Sequence, residues 1–214
     1  MNSRDSILGR IRAARAGATA SRESSYAAIP REYRQTPSLT PAERLALFEE
    51  RLRDYGVHTT RSADDAISAA IARILQERQT DGLLIPPGFP AAWLPAGFHF
   101  TEAANLSYHE IDAAPGVITQ CAAAIALTGT IILRDLAPGQ GARALSLIPD
   151  YHLCIVSVEQ LFETVPEAIR AIDGQQVRTL TTISGPSATS DIEMTRVRGV
   201  HGPRTLEVII GGCL

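Results

Sequence analysis

Apolar residues recur along this chain at two spacings, one helical and one strand-like. Ile7, Leu8, Ile11 and Ala14 form a stripe at helical spacing, which predicts a first helix over Ser3–Ala16. Ser3 is its candidate cap, Asp5 lies in its first turn and Gly17 ends it. The stripe is thin, so the helix is expected to lean on the domain or on a partner. From Ala18 to Leu39 the chain is rich in Ser, Ala, Arg and Pro without periodicity. It reads as an extended arm, with Tyr26 and Tyr33 as candidate anchors. Thr40-Pro41-Ala42-Glu43 then carries three helix-start signals: a Thr cap, a Pro at the first helical position and a Glu that completes a capping box.

Leu45, Phe48 and Leu52 form the buried face of that helix, which Gly56 stops. A short strand over Val57–Thr60 and an amphipathic helix over Asp64–Gln79 follow, the latter with Ile67, Ile71, Ile74 and Leu75 inside. Leu83-Leu84-Ile85 is a buried strand ended by Pro86-Pro87-Gly88. Strands are then expected at Thr130–Leu133, Leu153–Ser157 and Val177–Ile183. Glu159–Ile172 reads as helix, with Pro166 as a point of division, and Leu206–Ile210 closes the sheet. Short apolar runs separated by helices predict a three-layer α/β/α fold with a largely parallel sheet covered on both faces. The domain is placed at residues 40–214, preceded by the helix and arm of residues 1–39, and no internal repeat is visible.

Composition narrows the classes. With 214 residues and 45% hydrophobic content, the chain can bury a sizeable core. A formal net charge of -3 with no basic block argues against a dedicated nucleic-acid binder. No apolar run is long enough to span a bilayer, and the charged start lacks a signal-peptide core, so a cytoplasmic protein is expected. Cys121, Cys154 and Cys213 are widely spaced. Without a CxxC pair, neither a zinc knuckle nor an iron–sulfur cluster is built from this chain alone, and each Cys reads as a small buried hydrophobe. No flavin or nicotinamide fingerprint is present, so neither metal nor redox cofactor is expected.

Four segments interrupt the rhythm with small and polar residues. The most informative runs from Ser184 through Gly185, Ser187, Thr189 and Asp191 to Glu193, followed by Gly199-Val200-His201-Gly202-Pro203. Gly185 and Ser187 lack bulk, so a ligand can approach the backbone, and the hydroxyls with free N–H groups suit a carboxylate or phosphate. Asp191 and Glu193 share a side if the segment is extended, and His201 is a candidate proton carrier. A tight turn whose hydroxyls satisfy its own backbone fits the same residues. The second segment spans Gly116–Thr130 and contains Thr128-Gly129-Thr130. Gly139-Gln140-Gly141 with Arg143 is either an anion loop with an Arg clamp or a plain glycine-rich connection. Asp150 and His152 stand on one side of a strand entrance, as a catalytic pair or as a turn tie. Phe89 and Trp93 read as a core plug.

Together these motifs, with Ser146–His152, resemble the family of lactate utilisation protein C, from about Ala42 onward. The resemblance implies a fold similar to ribose-isomerase and CoA-transferase-like domains. It implies a role in oxidising L-lactate to pyruvate beside iron–sulfur partner proteins. Two positions depart from the family pattern: Leu127 replaces the usual acidic residue before Thr-Gly-Thr, and Ala122 stands where Asp is frequent. These departures shift the candidate chemistry to Asp191, Glu193 and His201. Thr128, Gly129, Thr130, Arg143, Ser184, Gly185, Ser187 and Thr189 become the candidate ligand-binding set. The expected protein is thus a subunit without its own redox cofactor, holding a small anionic ligand. The rival expectations are a free-standing isomerase or CoA-transferase-like enzyme acting on a phosphorylated or acyl substrate, and a non-catalytic assembly module.

Overall fold

The computed structural model describes residues 2–16, 26–34, 36–173, 179–189, 197–198 and 202–212. They fall into two compact units, residues 1–34 and residues 35–214. The first unit holds helix α1 (Ser3–Arg15), capped by Asn2, whose side chain accepts from the Arg4 N–H at 3.1 Å. The cap falls one residue before the Ser3 expected from the sequence. No residue of α1 is buried.

In chain order the second unit contains α2 (Pro41–Asp54), β1 (His58–Arg61), α3 (Ile67–Glu77), β2 (Gly82–Ile85), β3 (His99–Glu102), α4 (Tyr108–Asp112) and β4 (Val117–Gln120). There follow β5 (Ala123–Ile125), β6 (Thr130–Arg134), β7 (Tyr151–Ser157), β8 (Leu161–Phe162), α5 (Val165–Ile172), β9 (Leu180–Ile183), β10 (Ala188–Thr189), β11 (Val197–Arg198) and β12 (Thr205–Gly211). The Thr40 capping box is present: the Thr40 N–H donates to the Glu43 carboxylate at 2.8 Å, and the Glu43 N–H donates to the Thr40 hydroxyl at 3.3 Å.

Six strands form one sheet in the order β1-β12-β7-β4-β2-β3, and every pairing is parallel. Helices cover both faces, which is why β7 reads as a continuous apolar run, Leu153 through Val156, rather than an alternation. On one face Ile67, Ile71, Ile74 and Leu75 of α3 pack against Ile118, Leu153, Ile155 and Ile209. On the other, Phe48 and Leu52 of α2 pack against Cys154, Val156, Val208 and Ile210. The result is a three-layer α/β fold. Phe89 is buried and meets Trp93 edge to face at 5.9 Å, within the α3-side core. Cys121 and Cys154 are buried free thiols, while Cys213 lies outside the described residues.

Three expectations change. The runs at Thr130–Leu133 and Val177–Ile183 do not extend the parallel sheet: β6 and β9 pair antiparallel in a separate sheet of order β8-β5-β6-β9. That sheet packs on α5 and shares α2's core cluster through Ala124, Ile131 and Leu133. Residues 177–178 lie outside the described residues, and β9 starts at Leu180. Second, β12 does not close the sheet but sits between β1 and β7. Third, Pro166 does not divide a helix. It opens α5 behind the Thr164 cap, where its missing N–H costs nothing, and the residues before it form β8.

Candidate functional site

The Thr128-Gly129-Thr130 motif is the turn that joins β5 to β6, and Ser184 follows β9, the antiparallel neighbour of β6. This pairing lines up three hydroxyls. Thr128 Oγ1 and Thr130 Oγ1 lie 2.7 Å apart, and Thr130 Oγ1 and Ser184 Oγ lie 2.8 Å apart. Thr130 is 7% exposed, whereas Thr128 and Ser184 are open to solvent. Three hydroxyls bring three donors, and two internal bonds consume two of them. One O–H therefore remains to donate outward, with lone pairs to accept.

Tyr55, at the end of α2, supports this chain from below. Its hydroxyl donates to the Thr128 carbonyl at 3.3 Å. Gly129 has φ of 58° and Gly185 φ of 85°, both in the left-handed region. A Cβ on Gly129 would come within 2.7 Å of the Arg51 Cβ, and one on Gly185 within 2.6 Å of the Tyr55 Cβ. The two glycines thus fit the end of α2, which locks the turn and the Ser184 loop together. Neither Tyr55 nor Arg51 carried a sequence signal, because nothing in a helix end announces which loop it will meet.

Ser187 donates its N–H to the Pro203 carbonyl at 2.9 Å, and Thr205 begins β12 with an N–H bond to Asp150 O at 3.1 Å. The Ser184 loop therefore stands at the amino ends of the parallel strands. The strand that delivers it, β9, belongs to the antiparallel sheet. The Gly139-Gln140-Gly141 loop occupies the carboxyl side instead. Gln120 N–H, at the end of β4, donates to Gly139 O at 2.7 Å, and Gly139 N–H donates to Pro87 O just beyond β2 at 2.9 Å. The Gln140 side chain accepts the Arg134 N–H at 2.7 Å, and the Arg143 N–H donates to Asp135 at 2.9 Å. Arg143 is exposed and stands with this loop.

Asp150 and His152 do not pair. Asp150 is exposed and meets Arg204 at 3.2 Å, while His152 is fully buried, its Nε2 2.7 Å from Thr119 Oγ1 on β4. The Thr119 hydroxyl also reaches Cys154 Sγ at 3.7 Å. An Nε2–H donating to Thr119, which donates to Cys154, satisfies this chain and leaves Nδ1 as a buried acceptor without a partner. Burial lowers the His152 pKa to about 4, so the ring is neutral near pH 7. Glu163, fully buried, was not singled out in the sequence. Its carboxylate accepts the N–H groups of Ser38 at 2.6 Å and Leu39 at 2.8 Å and the Ser38 hydroxyl at 3.0 Å. It holds the residues leading into α2 against the end of β8.

Asp191, Glu193 and His201 lie outside the described residues, as does the side chain of Thr189. Among the described residues, no three His, Cys, Asp or Glu side chains group so as to hold a metal ion, and no helix is long and apolar enough to cross a membrane.

The fold is of the three-layer α/β class, with an antiparallel appendage that carries the Thr-Gly-Thr turn. The family model of the LUD domain matches residues 45–210, and the chain belongs to that family. Lactate utilization protein C of Deinococcus radiodurans is 46% identical over 177 residues, covering 81% of this chain and 82% of that protein. Lactate utilization protein C of Shouchella clausii is 38% identical over 84 residues, 37% of this chain and 36% of that protein. The crystal structure of a DUF162 family protein from Deinococcus radiodurans superposes with a TM-score of 0.71 at 41% identity. It covers 82% of this chain and 100% of its own.

Proposed function

We propose that this chain serves lactate utilisation as a cytoplasmic subunit without a redox cofactor of its own, beside iron–sulfur proteins that carry electrons as L-lactate becomes pyruvate. The observation that carries this reading is the 46% identity to a lactate utilization protein C across four-fifths of both chains. The hydroxyl chain gives the reading a place for a small anion: one outward O–H shared among Thr128, Thr130 and Ser184, of which Thr128 and Ser184 are exposed. On the sequence pattern, Asp191 orients donors or shuttles a proton, with Glu193 and His201 as its candidate partners. Arg143 and Thr189 remain candidate ligand contacts.

The test is growth on L-lactate as sole carbon source after deletion of the gene, with complementation in trans. The wild-type chain should restore growth, and Asp191→Asn at equal folded abundance should not. Unimpaired growth of the deletion strain on lactate overturns the role. The purified chain should not reduce dyes with lactate, and turnover by the lone protein would reassign it as a free-standing enzyme.

A further inference from the structure

We propose that this chain self-associates by exchange of its N-terminal helix. In this arrangement α1 of one copy lays its Ile7–Ile11 face in a groove between β2, β3 and α4 of a second copy. Three observations support it. Ile7 and Ile11 are 57% and 49% exposed, one turn apart on one face, and no residue of α1 is buried. At 100° per residue Arg4, Arg10 and Arg15 fall on either side of that stripe, so the helix presents an apolar ridge between cations.

The groove is the complement. It has a volume of about 370 Å³ and lies beside β3, the last strand of the parallel sheet. Buried Leu84 and half-buried Leu106 and Ala114 line it, with Asp81 and Glu110 exposed among them and no arginine. Glu110 caps α4 through Ser107, and those hydrogen bonds hold its carboxyl below the usual carboxylate range, so its charge persists. A second groove, beside the start of α2, is lined by Arg44, Arg61 and Glu159, so it lacks the net acidic lining of the first.

The charge of the whole chain favours a second copy as the occupant. Residues 1–34 carry seven arginines against three acidic residues, a formal +4; the total of -3 therefore leaves -7 on residues 35–214. Opposite signs on two parts of one chain attract copy to copy and steer association.

Sedimentation of the full-length chain tests the exchange. The wild type should form a dimer whose dissociation constant rises about tenfold between about 50 mM and 500 mM salt. Ile7→Asp/Ile11→Asp should give monomers whose unfolding matches the wild type. Asp81→Arg/Glu110→Gln keeps the α4 cap and should also give monomers, and adding Arg10→Glu/Arg15→Glu should restore the dimer. Ile11→Cys/Ala113→Cys in a Cys213→Ser background should oxidise to a covalent dimer. A monomeric wild type, a dimer indifferent to these variants, or an intrachain cross-link overturns the proposal. So does α1-dependent binding to phosphatidylglycerol vesicles without self-association, which would assign the helix to a membrane surface.

Discussion

The two sheets of this protein are built from similar apolar runs and differ most between β7 and β9. In the parallel sheet, β7 is buried from Tyr151 to Val156. In the antiparallel sheet, β9 is only half covered, with Leu180, Thr181 and Ile183 intermediate and Thr182 exposed. Both sheets feed the core, the antiparallel one through β5 and β6. The antiparallel sheet also carries a turn and a loop end with exposed hydroxyls at Thr128 and Ser184, which is where a ligand can arrive without dismantling the core.

Substitution should separate the two most sharply at buried apolar positions. Leu153→Ala is expected to cost about 3 kcal/mol in denaturant unfolding, and Ile183→Ala in β9 about 1 kcal/mol. Equal losses would mean that the sheets share one core energetically. The interior of the parallel sheet should also respond to pH. His152 is neutral when folded, with its pKa lowered to about 4 by burial, and ordinary when unfolded. The unfolded chain thus binds the extra proton below about pH 6.5, and stability is lost as pH falls from there toward 4, by up to about 3 kcal/mol. Unfolding of His152→Gln against the wild type at several pH values isolates this slope, which the variant should flatten.

Where β8 meets the residues leading into α2, Glu163→Gln removes the charge that three donors from Ser38 and Leu39 address. A loss of about 2 kcal/mol is expected, with faster hydrogen exchange at the Ser38 and Leu39 amides. The smallest stability effect should come from the hydroxyl chain itself. Thr130→Val keeps the shape and breaks both hydroxyl contacts, costing about 1 kcal/mol, yet should abolish complementation on lactate. Full growth with a correctly folded Thr130→Val would remove the hydroxyl chain from the function.

The local signals were legible in the sequence where physics is local. Thr40–Glu43 declared a helix start because a capping box needs only four residues, and Ile67, Ile71, Ile74 and Leu75 declared a buried face by spacing alone. Strand direction was not legible. An apolar run such as Thr130–Leu133 suits either pairing sense, and the choice is made by which distant strand it meets. The same limit applies to the site. Thr128, Gly129, Thr130, Ser184 and Gly185 were readable as small and polar interruptions, and the structure brings them together around Tyr55. Arg143 was grouped with them on residue type, and its loop stands beside the ends of β2 and β4. His152 and Asp150 looked like a pair because they are two residues apart, while one strand entrance sends them to core and solvent.

The position of β12 bears on how the protein is made. Residues 205–211 come last of the described strands, yet they lie between β1 and β7 with a seven-residue register to β7. A chain emerging from the ribosome can form α2, α3 and most strands, but β1 stays separated from β7 until this segment is released. Closure therefore waits for one late, long-range event, which slows folding and leaves the exposed edges of β1 and β7 open to wrong partners meanwhile.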